Sequence, residues 1–260
     1  MSVVRVRDRL PAGDALWATR AAAFPPGEFV GQESFVTAGE VLALARRAGI
    51  ARGARVLDLC CGIGGPGLLV TRELGCAYTG VDASPGAVDA ARRRASAAGL
   101  AADFRVARVP PLPAGRFDVV LLLETLLAFP DKPALLRGVA SALPVGGRFA
   151  CTIEEGRPLT TAERTAMPGS DTVWLTPLAR LRADLNRAGL RVRWCVETSR
   201  THRTTVDALV DAYAAAAPDL VGVVDADAVD GLVTSHRLWS RWLRDGRVRK
   251  FAVVAEKVRP

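Results

Sequence analysis

Apolar residues fall along this chain in two rhythms. Arg55 to Leu59 and Phe117 to Leu123 are apolar runs without alternation, as in parallel strands buried on both faces. Elsewhere they recur at helical spacing: Val41, Leu42, Leu44 and Ala45 place a helix over about Phe35 to Ala48, stopped by Gly49. A second helix starts near Pro66, whose fixed φ suits a first turn, and ends at Gly75; a third runs from Ser84-Pro85 to Gly99. Strands are expected at Tyr78 to Asp82 and Asp103 to Ala107, followed by a turn-rich loop at Pro110 to Gly115. After the strand that Glu124 ends come a helix over Lys132 to Leu143 and, past Gly146-Gly147, a fifth strand over Arg148 to Ile153. Strand and helix alternate five times, which predicts an α/β fold with an open, mostly parallel sheet covered by helices on both sides.

The pattern continues with a helix at Leu178 to Ala188, a strand at Leu190 to Thr198, helices at Thr204 to Ala217 and Ala226 to Leu243, and a last strand at Val248 to Lys257. The insertion of about forty residues between the last two strands is too long for a plain connection and reads as a helical lid. Near the start, a short helical arm over about Asp14 to Ala23 precedes the Pro25-Pro26-Gly27 break and a loop through Gly31-Gln32-Glu33. With 260 residues, 50% hydrophobic, the chain can build one sizeable core and not two. The expected organisation is one domain over 1–260, with an arm (1–34), a core (35–200), a lid (201–245) and a last strand (246–260).

Composition narrows the function classes. No stretch approaches the roughly 18 apolar residues of a membrane span, and Met1 to Arg5 opens no secretory segment, so no membrane partner and a cytoplasmic location are expected. The five Cys, two adjacent at Cys60-Cys61, have neither disulfide nor zinc-ligand spacing, so they read as reduced thiols and no metal is expected. The net charge of +8 comes mostly from Arg scattered among Ala-rich segments. Its clusters, Arg46-Arg47, Arg92 to Arg94 and Arg247 to Lys250, read mainly as solvated helix faces rather than a nucleic-acid footprint.

The chemistry is concentrated in Val56-Leu57-Asp58-Leu59-Cys60-Cys61-Gly62-Ile63-Gly64-Gly65-Pro66-Gly67, with Asp82 ending the next strand. Strand, glycine-rich turn, helix, strand and terminal acid form the layout of a nucleoside-binding βαβ unit. Glycines let the backbone approach a ligand that a Cβ would push away, and the acid can accept hydrogen bonds from two ribose hydroxyls. An adenosine-type cofactor is expected. Gly62 to Gly67 also fits the dinucleotide pattern G-x-G-x-x-G in form, but Asp58 and the Cys pair precede it.

Over about residues 35–200 and the final strand, the chain resembles the class I S-adenosylmethionine-dependent methyltransferases. Asp58 to Gly64 resembles the family's cofactor loop and Asp82 its ribose-binding acid; Phe117-Asp118-Val119-Val120 resembles the start of its fourth strand, and Leu143 to Gly147 its turn before strand five. The resemblance implies a Rossmann-like seven-stranded sheet in the order 3-2-1-4-5-7-6 with strand seven antiparallel, and S-adenosylmethionine as cofactor. The residues it implies around the cofactor are Asp58, Cys60, Cys61, Gly62, Gly64, Asp82, Ala83, Arg108 and Glu124. Three departures stand out: Cys60 where the family usually has glycine, Arg108 where it often has an adenine-binding Asp, and Pro144-Val145 before Gly146. Leu123 to Lys132 resembles a segment of small-molecule N-, O- and C-methyltransferases, with Ala128 in the place of a His.

On the acceptor side, Glu124 and the pair Glu154-Glu155 lie at strand ends, where open α/β sheets bind ligands. Glu124 or Glu154 could bind an amine or deprotonate a hydroxyl; alternatively Glu124 fixes the cofactor loop. His202 and His236, the only histidines, flank the lid helices and are candidate bases, with a structural role as the alternative. Trp174, Tyr213, Trp239 and Trp242 either line an apolar acceptor pocket or pack the lid on the core, and Phe24, Phe29 and Phe35 either fold over the cofactor or pack. The expected function is methyl transfer to a small organic acceptor by direct displacement. A non-methylating cyclase or rearrangement enzyme of the same fold is the alternative. Nucleic-acid methylation is the weaker one, because the Asn/Asp-Pro-Pro-Tyr/Phe and Pro-Cys motifs are missing. A homodimer is left open.

Overall fold

The structure is a computed structural model that describes residues 13–221 and 225–259. The predicted arm, lid and last strand extend to residues 1–12, 222–224 and 260, which lie outside it. Seven strands form one sheet: β1 (Arg55–Leu59), β2 (Ala77–Asp82), β3 (Ala102–Val106), β4 (Val119–Leu122), β5 (Arg148–Glu155), β6 (Leu190–Glu197) and β7 (Arg249–Lys257). Their order is β3-β2-β1-β4-β5-β7-β6, with β7 antiparallel to both neighbours and every other pair parallel. This is the sheet the sequence resemblance implies. The order in which strands are added reverses between β1, which leads on to β2 and β3, and β4, which starts the other half. The carboxyl ends of β1 and β4 therefore open on the crevice where such sheets bind ligands.

Helices cover the sheet: α1 (Gly13–Ala22), α2 (Ala38–Arg47), α3 (Gly65–Leu74), α4 (Pro85–Ala97), α5 (Lys132–Ala142), α6 (Thr161–Ala166), α7 (Leu178–Arg187), α8 (Ser199–Val221) and α9 (Ala226–Arg244). Local chemistry sets their ends. Helix α2 begins at Ala38 rather than Phe35 because Thr37 and Glu40 form a reciprocal capping box. Ser84 caps α4 through Ala87 N at 3.3 Å, with Pro85 in the first turn. Gly75 ends α3 at φ 67, a conformation open to glycine.

One face of the sheet buries Val56, Leu121 and Val254 under α2, α3 and α4; the other buries Leu57, Leu122 and Val253 under α5 and α7. A third core joins the arm to the lid: Leu16 and Phe24 pack with Leu209, Tyr213 and Val233. Helix α8 runs through Pro218, well past the expected stop at Ala217, and starts at Ser199 rather than Thr204. Strand β5 extends two residues beyond the expected Ile153 because β7 pairs with it to the end, Lys250 opposite Glu154 and Arg249 opposite Glu155. Helix α6, a short 3-10 turn at Ser170–Thr172, and a bulge in β6 between Val192 and Trp194 carried no sequence signal. No described helix is long and apolar enough to cross a membrane.

Candidate active site

The loop after β1 is shaped for close approach. Cys60 (φ 58), Gly62 (φ 55) and Gly64 (φ 78) are all left-handed. For Cys60 that conformation costs about 1–2 kcal/mol, so the loop keeps the path that a glycine would take there. A Cβ on Gly65 would lie 2.1 Å from Val30 O, and one on Gly67 would lie 2.0 Å from Tyr78 Oη; only glycine admits the arm loop and the β2 tyrosine this closely. Asp58, 3% exposed, accepts a 2.6 Å hydrogen bond from Tyr78 Oη. Burial pushes its pKa up to about 7, with the Tyr78 hydrogen bond opposing and the Asp82 charge adding. Asp82 accepts from Gly62 N at 3.0 Å on one oxygen and from Ser84 N at 2.9 Å on the other. It thus ties the glycine turn to the start of α4.

A cavity of about 350 Å³ runs from this loop to the lid. Trp17, Asp58, Cys60, Cys61, Gly62 and Ile63 line its loop half; Glu124, Glu154, Met167, Val173, Trp239 and Lys250 line the other. Trp17 belongs to the arm and packs against Ile63, Ala87 and Ala90. Its indole Nε1 is buried without a hydrogen-bond partner. Of the residues singled out in the sequence, Asp58, Cys60, Cys61, Gly62 and Glu124 are therefore brought together around one cavity. Asp82 and Gly64 sit behind the loop, the latter as the N-cap of α3 against Phe104. Ala83 and Arg108 are not on the cavity wall.

Glu124 follows β4 in a left-handed conformation, φ 50, with its N–H donating to Thr152 Oγ1 at 2.6 Å. Together with Cys60 it is the only non-glycine residue at positive φ among those described, and both face the cavity. Its carboxylate belongs to a line of alternating charge: Glu40, His202, Glu124, Lys250, Glu154. His202 Nε2 lies 3.2 Å from Glu40 Oε2, and Nδ1 lies 3.2 Å from Glu124 Oε1. Lys250 Nζ lies 2.7 Å from Glu124 Oε1 and donates to Glu154 Oε1 at 2.6 Å. The Glu124 Oε1 contacts are ion pairs without hydrogen-bond alignment; its Oε2 accepts from Phe35 N at 2.9 Å.

The proton states follow from these partners. Burial alone would raise the Glu124 pKa, but the Lys250 and His202 charges outweigh it and hold the carboxyl well below its usual range. Burial lowers those of Lys250 and His202, yet the carboxylates beside them more than restore it, so both are raised. Glu154 is raised by burial and by the Glu124 charge, which outweigh Lys250, shared with Glu124, and His202.

His202 is buried beneath Glu124, off the cavity wall. His236 is also off the wall, packed edge-on to Phe35 and Tyr213 with Nδ1 2.7 Å from Leu232 O. Burial, helped by the charge of Arg20, brings its pKa down to about 4. Trp239 lines the cavity and meets Trp242 edge-on, whereas Trp242 packs in the small core with Met167 and Val248. Sequence reasoning missed Lys250, Trp17 and Glu40. Lys250 had one legible signal: it is the last charge of the Arg247 to Lys250 cluster, directly before the apolar run Phe251-Ala252-Val253-Val254-Ala255.

Residues 56–147 match the family model described as a methyltransferase domain. The chain is 40% identical over 100 residues to the ubiquinone biosynthesis O-methyltransferase of Xanthomonas euvesicatoria pv. vesicatoria (strain 85-10), covering 37% of this chain and 41% of that protein. It thus spans about two fifths of the length of the curated relatives it first matches. It is 27% identical over 205 residues to methyltransferase GfsG of Streptomyces halstedii, covering 75% of this chain and 71% of that protein. Among solved structures it is similar to Haemonchus contortus phosphoethanolamine N-methyltransferase 2 in complex with S-adenosyl-L-methionine, with a TM-score of 0.77 at 19% identity over 99% of this chain and 61% of that one. At that identity the likeness is one of fold. Residues 56–147 thus match a methyltransferase domain, and the seven-stranded sheet around them has the order of the class I methyltransferase fold.

Proposed function

We propose that this chain transfers a methyl group from S-adenosylmethionine to a small organic acceptor held under the arm and the lid. One observation carries the reading: a single cavity joins the glycine-rich turn after β1 to the acid after β4 and to the lid residue Trp239. Its volume of about 350 Å³ is that of a small-ligand site. The fit to the cofactor rests on the loop half. Trp17 Nε1 is a buried donor without an acceptor, and Asp58 is a carboxylate on the same wall. Together they complement a ligand that carries both a carboxylate and an ammonium.

When bound, S-adenosylmethionine supplies a methyl group on a sulfonium, open to in-line displacement. The Asp58 to Gly62 turn would hold the amino-acid part, and Asp82, fixed by two backbone N–H groups, would receive the ribose hydroxyls. The arm and the lid keep water from the reacting atoms, and positioning supplies much of the acceleration, up to about 7–11 kcal/mol in favourable intramolecular cases. Glu124 anchors the arm through Phe35 N, and so couples the acceptor half to closure. The five cysteines are all free thiols, in keeping with a reducing, cytoplasmic setting.

Incubating the protein with methyl-labelled S-adenosylmethionine and a low-molecular-weight cell extract tests the reading. Label is expected in a small-molecule fraction. Cofactor binding with no label transferred would favour the non-methylating alternative, and label in nucleic acid or protein would contradict the acceptor class.

A further inference from the structure

We propose that the acceptor is a hydroxyl compound, that Glu154 takes its proton, and that Lys250 holds the oxygen anion that results; this rests on the methyl-transfer reading above. Glu124 and Glu154 both line the acceptor half of the cavity, and they are not equivalent. Glu124 has one oxygen on Phe35 N and the other between Lys250 and His202. Glu154 gives one oxygen to Lys250, while its Oε2 is buried without a hydrogen-bond partner. Its side chain and that of Lys250 are each 2% exposed. A buried oxygen left without a donor is costly, the more so on a charged group, and a ligand O–H removes that cost.

Lys250 is held in place as tightly. Two carboxylates flank its ammonium, and the rings of Phe35 and Trp239 lie 5.1 and 5.9 Å away. Carboxylate and ammonium thus stand side by side on the wall. That pair suits an acceptor that is neutral when it binds and anionic when it reacts. An ammonium acceptor at Glu154 Oε2 would face Lys250 across one carboxyl group, like charge against like charge in a site of low dielectric. A neutral amine would need no base before attack.

The charged groups around Glu154 come from four elements: Lys250 on β7, Glu124 after β4, His202 on α8 and Lys132 at the start of α5. In this setting burial raises the Glu154 pKa above its usual value, which favours uptake of a proton from an acceptor O–H. In the step, the acceptor O–H bond breaks and its proton passes to Glu154 Oε2. The oxygen forms its bond to the methyl carbon as the carbon–sulfur bond breaks, with that electron pair left on the thioether sulfur. The proton leaves Glu154 for solvent with product release.

The test uses 4-nitrophenol as a hydroxyl probe of the protein saturated with S-adenosylhomocysteine, saturation being checked by calorimetry. The absorbance of bound phenolate is followed against pH. Lys250→Met is expected to raise the apparent pKa of the bound probe and Glu154→Gln to lower it, each by about one unit or more, because the one removes a cation and the other an anion. Glu154→Gln keeps the side chain's shape and gives the test on its own should Lys250→Met fail to fold. Unchanged values in the variants, or no probe bound to the protein loaded with S-adenosylhomocysteine, would overturn the proposal. Failure to bind S-adenosylhomocysteine at all would instead strike the methyl-transfer reading on which it rests.

Discussion

Asp58 sits where burial and a ligand's charge would pull its proton in opposite directions. Without a ligand its pKa is raised to about 7; an ammonium beside it favours the ionised form. Affinity for S-adenosylhomocysteine is therefore expected to fall as pH drops below about 7, by up to about tenfold per unit. Calorimetry across pH should show this slope in the natural protein and a weaker, flat affinity in Asp58→Asn; a flat profile in the natural protein would contradict the role. Asp58 and Asp82 were legible because a strand, a glycine turn and a strand-end acid recur at fixed spacing. The left-handed backbone of Cys60 was hidden by its side chain, and the unpartnered Glu154 Oε2 could not be read because Lys250, which takes the other oxygen, Oε1, reaches it across a strand pair 96 residues apart.

At the level of elements, closure depends on one buried arginine. Arg20 on α1 donates to Gln32 O at 2.9 Å, to Ser34 O at 2.8 Å and to Glu33 O, and its Nη1 lies 3.3 Å from Tyr213 Oη on α8. It thus binds the loop that lines the cavity to both arm and lid. Arg20→Met is expected to cost about 3 kcal/mol in urea unfolding, since charged hydrogen bonds are lost and carbonyls stranded, and to expose the 24–34 segment to limited proteolysis. Gly65→Ala should expose the same segment without touching Arg20, because its Cβ would meet Val30 O at 2.1 Å. Resistance of both variants to proteolysis would sink the latch.

Element boundaries were read well where a cap or a glycine punctuates the chain, as at Ser84, Gly75 and Gly189. They were misread where tertiary partners decide: α8 continues through Pro218 because its Leu209, Tyr213 and Leu220 pack into the arm–lid core. Helix α6 is short, with no buried residue of its own, so no apolar period betrayed it.

Across the whole molecule, the buried titratable groups pull stability in opposite directions with pH. His236 has its pKa lowered to about 4, below the unfolded value near 6.5, so the unfolded chain gains its proton first as pH falls. Its contribution is intact above about pH 6.5 and is lost towards pH 4, about 2 kcal/mol of it between pH 7 and pH 5. Asp58, raised to about 7, acts in the other sense: its contribution is full at acid pH and fades as pH rises through 7. The two are separated by comparing urea midpoints of the natural protein and His236→Gln at each pH. The loss between pH 7 and pH 5 should shrink by about 2 kcal/mol in the variant, and an equal loss in both would contradict the assignment.

The open, mostly parallel sheet was legible at this scale because strands and helices alternate, and its order is the one the family resemblance implies. The arm–lid core was not, since it joins residues near position 20 to residues beyond 200 with no periodic link between them.

The central claim is tested most directly by calorimetric titration of the protein and of Asp82→Ala with S-adenosylhomocysteine. Micromolar binding by the natural protein, lost or weakened about a hundredfold or more in the variant as two charged hydrogen bonds to the ribose disappear, is the predicted result. No binding by the natural protein, or equal binding by both, would contradict it.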